Sequence, residues 1–215
     1  MKRYTQEEFN NFKIEDGIRQ CPTGDYSNIK SFGGNCSFGE RCSIGEKCSI
    51  GEWVSFGEGG SFGEGCSFGG NCSFGEGCSF GEDCSFGESC SFGRNCSFGE
   101  KCSFGEWGSF GEWGSFGESC SFGESCSFGR NCSLGENCSF GGKGISLGKF
   151  LTISGGSENR TSYAFNLDTG IFIQSGCFWG TLEDFINEVK KTHGDNKHAR
   201  FYLGWVELIK IYFKN

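Results

Sequence analysis

From Phe32 to Phe140 an apolar residue recurs at every sixth position, Phe everywhere except Ile44, Ile50 and Leu134, and Gly follows each of these nineteen positions. Two positions before the ring stands Cys at fourteen places, with Ser between them. Residues two apart in an extended segment share a face, so Cys and Phe point one way and Ser the other. Such short segments bury their apolar side only by stacking on their neighbours, which predicts a solenoid.

The exceptions to the pattern suggest how many segments make one coil. Gly replaces Glu two places after the ring at Gly34, Gly70 and Gly142, and Arg replaces it at Arg94 and Arg130. Lys47 and Lys101, like Trp53 and Trp107, are separated by 54 residues. All these spacings are multiples of eighteen, as a three-sided coil of eighteen residues would give; copying of a 54-residue block would give them too. Equivalent residues in successive coils then lie about 4.8 Å apart, within the favourable range for aromatic pairs. Three Phe ladders flanked by Cys ladders are expected inside, with the Gly after each Phe permitting the bend at a corner.

The flanks read differently. Residues 1–25 are expected to cap the first coil: Thr5-Gln6-Glu7-Glu8 has capping-box spacing, and Phe9, Phe12 and Ile14 give a short helix one apolar side. Tyr26 is in phase with Phe32, so the coil is expected over 26–150, with Ile145-Ser146-Leu147-Gly148 resuming the repeat one residue late. Residues 151–215 read as a small α+β module. Thr161 to Leu167 and Ile171 to Ser175 form a hairpin, Thr181 caps a helix reaching about Thr192, and a second helix runs from about Lys197 to Tyr212. Tyr202, Trp205, Val206, Ile209 and Phe213 supply its core side.

The run Ile44-Gly45-Glu46-Lys47-Cys48-Ser49-Ile50-Gly51-Glu52 resembles the hexapeptide repeat of left-handed parallel β-helix proteins, and the resemblance covers about half the chain. It implies a mainly β, three-sided, left-handed parallel β-helix, here with Phe where the family prefers aliphatic residues. Gly176-Cys177-Phe178-Trp179-Gly180-Thr181, followed by Phe185, Val189 and Thr192-His193-Gly194, resembles a carboxy-terminal module of uncharacterised phage and prophage proteins. That implies phage origin and carries no activity with it.

Charge changes the picture most. Between Ser31 and Lys143 fifteen acids face six bases, while the whole chain carries −8, so the acidity is concentrated in the repeat. Glu46, Glu64, Glu82, Glu100, Glu118 and Glu136 would form one unbroken row on one face, one per coil. About six coils span roughly 30 Å, and the repeat's Glu then approach the charge spacing of duplex DNA, about one per 1.7 Å. The row is thus a candidate surface for a basic, nucleic-acid-binding protein, by mimicry of nucleic acid rather than by binding it; a solvated face that keeps the chain soluble is the plainer reading. Trp107 and Trp113, each beside a Gly that replaces Cys, either pack over that neighbour or form an exposed anchor patch; the bare neighbours favour packing.

Other chemistry finds little support. The Cys read as small buried hydrophobes, with disulfides disfavoured in a reducing compartment and zinc disfavoured without a tetrahedral cluster. No metal, cofactor or catalytic residue is expected. Many hexapeptide β-helices are acyltransferases that use a His from the coils, but no His occurs before His193. Cys177 with His193 is a pairing without observed geometry, and His193 and His198 read as capping or surface residues. Without an apolar leader or span, a cytoplasmic location is expected, that of the bacterial host for a phage protein, with no membrane partner and homo-oligomerisation left open. Three classes remain: a non-catalytic acidic interaction protein inhibiting a host defence protein, a structural virion or filament component, and a divergent acyltransferase.

Overall fold

The computed structural model describes every residue except 124–125, 130–131, 136–137, 141–145, 158–159, 176–177 and 214–215, and of 146–149, 152, 154 and 160–161 the backbone only. Two compact units divide the chain, Met1–Gly142 and Lys143–Asn215.

The first unit is a parallel β-solenoid of about six coils. Its strands are mostly two residues long, a Ser and the ring that follows, and each pairs in parallel with the strand eighteen residues away: Ser67↔Ser85 and Phe68↔Phe86 on one side, Ser73↔Ser91 on the next, Ser79↔Ser97 on the third. Three sheets of eight, seven and seven strands result. Phe and Cys point inward and are buried throughout the described coils, while Leu134 is half-buried.

The rings stack along each side, Phe68 on Phe86 at 4.9 Å and Phe86 on Phe104 at 5.0 Å, with planes within 3°. The columns also meet one another edge to face: Phe80 to Phe86 and Phe86 to Phe92 are each 5.0 Å apart with planes at 88° and 89°. Each such pair contributes about 0.5–1.5 kcal/mol beyond the apolar area it buries. The identical ring therefore serves all three sides.

The corners correct one expectation. Among the described residues, the Gly that follows a ring does not adopt the left-handed conformation. A Cβ on Gly81 would lie 2.7 Å from the Glu64 amide nitrogen in the coil before, and one on Gly99 2.7 Å from that of Glu82. This Gly is present because two backbones pass too closely for a side chain. The bend sits two residues later, after the acidic position, at residues with φ near +55°: Lys47, Asn71, Asp83, Asn95 and Lys101 among them. There the amide donates to the carbonyl of the acidic residue in the next coil, as from Lys47 to Glu64 (2.7 Å) and from Asp83 to Glu100 (2.9 Å).

The Cys columns contribute more than bulk. From Cys66 onward each thiol of the columns donates to a Gly carbonyl of the coil before, as Cys84 does to Gly63 (3.3 Å) and Cys102 to Gly81 (3.4 Å). Burial pushes the thiols of Cys48 and Cys126 up to about 11, so they keep the proton they donate at neutral pH.

Helix α1 (Gln6–Asn10) starts at the Thr5–Glu8 capping box and lays Phe9 edge-on against Phe32 at 5.2 Å, closing the first coil. Ile14 is not on this helix; it lies exposed in the antiparallel strand pair Ile14–Glu15 with Ile18–Cys21. Parallel pairing begins inside the expected cap, where Ile18–Cys21 joins Cys36–Phe38.

The second unit is an antiparallel four-stranded sheet, Ser146–Gly155, Arg160–Leu167, Gly170–Ser175 and Phe178–Thr181, with helices α2 (Leu182–His193) and α3 (Lys197–Phe213). Leu147 and Gly148 therefore belong to this sheet and do not resume the coil. Thr181 and Asp184 form the predicted capping box. Ala164, Ile173, Phe185, Val189, Tyr202, Trp205, Val206 and Ile209 make the core. Among the described residues, no helix is long and apolar enough to cross a membrane.

Candidate interaction surface

Only Ser and the ring are extended in each segment, so the flat sides of the solenoid carry Ser while the acidic residues fall in the turns. Glu46, Glu64, Glu82, Glu100 and Glu118 accordingly line one corner of the prism, not a face, and all five are exposed. Glu136 lies outside the described residues. The turn-to-turn bonds from Lys47, Gly65, Asp83 and Lys101 hold the backbone of this row at 2.7–2.9 Å per contact, which fixes its spacing. No ion pair to Glu64, Glu82, Glu100 or Glu118 occurs among the described residues. Neighbouring carboxylates about 5 Å apart repel by about 1 kcal/mol in water, so the row opposes folding unless cations gather along it.

The other two corners are mixed. One carries Glu52, Glu88 and Glu106 interrupted by Gly34 and Gly70; on the next, Arg94 replaces Glu and reaches Glu112 at 3.6 Å, while Asn95 donates to Glu76 at 3.0 Å.

The tryptophans depart from the expected packing. Trp53, Trp107 and Trp113 are 60%, 63% and 58% exposed, and each occupies the left-handed corner position with φ of 60–63°. A bulky side chain is disfavoured there by about 1–2 kcal/mol. The indoles stand largely in solvent, and a Cβ on Gly108 would meet Cys126 Sγ at 3.2 Å, so the neighbour's space is approached from within. Trp107 and Trp113 lie on successive corners of one coil, bounding the Ser109–Phe110 side, and Trp53 shares a corner with Trp107 three coils earlier. Trp53 belongs with the other two on exposure and conformation, and the signal was legible: all three follow Glu directly, as Glu52-Trp53, Glu106-Trp107 and Glu112-Trp113.

In the second unit, the His193 and His198 rings approach to 5.7 Å and His193 stacks on Tyr202 at the turn between α2 and α3. Cys177 lies outside the described residues.

Fold and surface together define a parallel β-solenoid with acidic corners, the kind of repeat scaffold suited to binding other molecules. Among protein families, the RNA-binding, Nab2-type zinc finger matches residues 31–43, 66–81, 78–93, 83–105, 113–129 and 126–141, together less than half of the chain. No curated protein and no solved structure matches the chain. The residues do not fit a zinc site of that kind. The matched segments contain no His, and Cys84, Cys90, Cys96 and Cys102 of one match lie on three different corners, with their thiols on Gly carbonyls. A tetrahedral ion needs four ligands within about 2.3 Å of one point. Among the described residues no group of three or more His, Cys, Asp or Glu could hold a metal.

Proposed function

We propose that this chain is a phage-encoded, non-catalytic interaction protein related to hexapeptide-repeat β-helices, whose acidic corners occupy the nucleic-acid channel of a basic host protein in the bacterial cytoplasm and inhibit it. The observation that carries the reading is the row Glu46, Glu64, Glu82, Glu100 and Glu118: exposed, free of ion pairs among the described residues, and fixed in spacing by its own backbone. A rigid line of carboxylates about 4.8 Å apart offers a basic groove a column of like charge, sparser than the one per about 3.4 Å of a single nucleic-acid strand, without any ordering of the ligand on binding. The RNA binding named for the matched zinc-finger family is not carried over, because the same corners repel phosphate.

The test is capture from bacterial lysate with the wild-type chain and with the variant Glu64→Gln, Glu82→Gln, Glu100→Gln, Glu118→Gln, followed by elution with salt or with duplex DNA. Basic proteins held by the wild type, released by both eluents and lost with the variant are the expected result. Equal recovery by both forms would overturn the reading.

A further inference from the structure

The three exposed tryptophans are costly twice over, in solvent exposure and in backbone conformation, at a position that Asn71, Asp83 and Asn95 occupy without either difficulty. Their shared feature is the carboxylate one residue before. An indole one residue from a carboxylate, on the two mixed corners, fits one side chain better than any other. A guanidinium lies flat on an aromatic face and at its edge presents a fork that matches a carboxylate, whereas an ammonium is a hydrated point charge with no plane to stack. The chain already brings one arginine to one of these carboxylates: Arg94 reaches Glu112, the residue before Trp113.

We propose that the Glu-Trp corners, Glu52-Trp53, Glu106-Trp107 and Glu112-Trp113, are receptors for arginine side chains of the basic partner. This rests on the proposed engagement of a basic protein and adds what selects it. Trp107 and Trp113 bound one flat side of a single coil, and Trp53 stands on the Trp107 corner about 14 Å away, three coils at about 4.8 Å. The surface therefore fits an arginine-rich segment lying across the Ser109–Phe110 side, and selects it over a lysine-rich segment of equal charge.

The experiment is titration of the full chain with octa-arginine and octa-lysine at low salt, read by tryptophan fluorescence and by calorimetry. It is repeated with the variant Trp53→Asn, Trp107→Asn, Trp113→Asn, and sedimentation of both forms reports their oligomeric state. Octa-arginine is expected to bind about fivefold more tightly than octa-lysine, with quenching of the indoles, and the variant to bind both equally. Equal binding of both peptides by the wild type would overturn the arginine receptors and leave the acidic surface standing. Binding of neither would overturn both. A variant that keeps the arginine preference but loses self-association would assign the tryptophans to a second copy of the chain and overturn the proposal.

Discussion

The two units bury apolar surface by opposite means. In the solenoid one ring is repeated, and a ring such as Phe86 meets copies of itself in the same column and on the adjacent sides at about 5 Å. In the second unit no two core residues have the same surroundings: Trp205 meets Phe185 edge-on at 6.0 Å, and Tyr202 reaches the Ser157 amide with its hydroxyl at 3.2 Å. A repeated core distributes stability over nearest-neighbour terms, so a ring is one among many. A core of unlike residues concentrates it in a few large side chains. The places where the solenoid cannot absorb a change are its corners.

Gly81→Ala presses on that difference hardest. The added Cβ meets fixed backbone of Glu64 at 2.7 Å, and no rotamer relieves it. A loss of about 4 kcal/mol or more is expected, seen by hydrogen exchange as deprotection of the coils on either side while α2 and α3 stay protected. Trp205→Ala should act in the reverse sense: a loss of about 3–5 kcal/mol confined to the second unit, with the helical circular-dichroism signal melting before the β signal. Equal effects on both units would mean that they fold as one. The smallest change sharpens the contrast between positions within a corner. Trp107→Asn places at φ 61° a residue that tolerates it and should stabilise the solenoid by about 1 kcal/mol, read as a higher denaturant midpoint at unchanged slope.

Much of the solenoid was legible because two periods coincide: alternation within an extended pair and recurrence every eighteen residues leave one inward assignment for Phe68, Phe86 and Phe104. The purpose of Gly81 was not. A sequence records that a Cβ is absent, and both a left-handed dihedral and a neighbouring backbone account for that; only the distance to Glu64 separates them. The true bend is hidden because Lys47, Lys101 and Trp107 do not announce positive φ, although Asn71, Asp83 and Asn95 at the same position do. The bare neighbour Gly108 favours packing of Trp107 over an exposed anchor, yet Cys126 from the next coil already approaches that space. The acidic rows were found in number and register but assigned to faces, since the repeat does not say that its strands end at the ring. Ser146–Gly155 escaped because Leu147-Gly148 imitates the motif while its partner strand, Arg160–Leu167, lies beyond the break.

Because the corner amides from Asn35 to Lys101 are each satisfied by a carbonyl seventeen residues onward, the solenoid has a built-in ratchet for changes of length. Removing one full winding, as by deleting residues 67–84, shortens the prism and leaves each column of charge in line. Removing six residues turns everything downstream by a third of a revolution, carrying Glu100 and Glu118 onto a corner that Arg94 or its equivalents occupy. Insertions and deletions in this chain are thus sorted by arithmetic: some edit reach, others scramble the pattern that a partner would read.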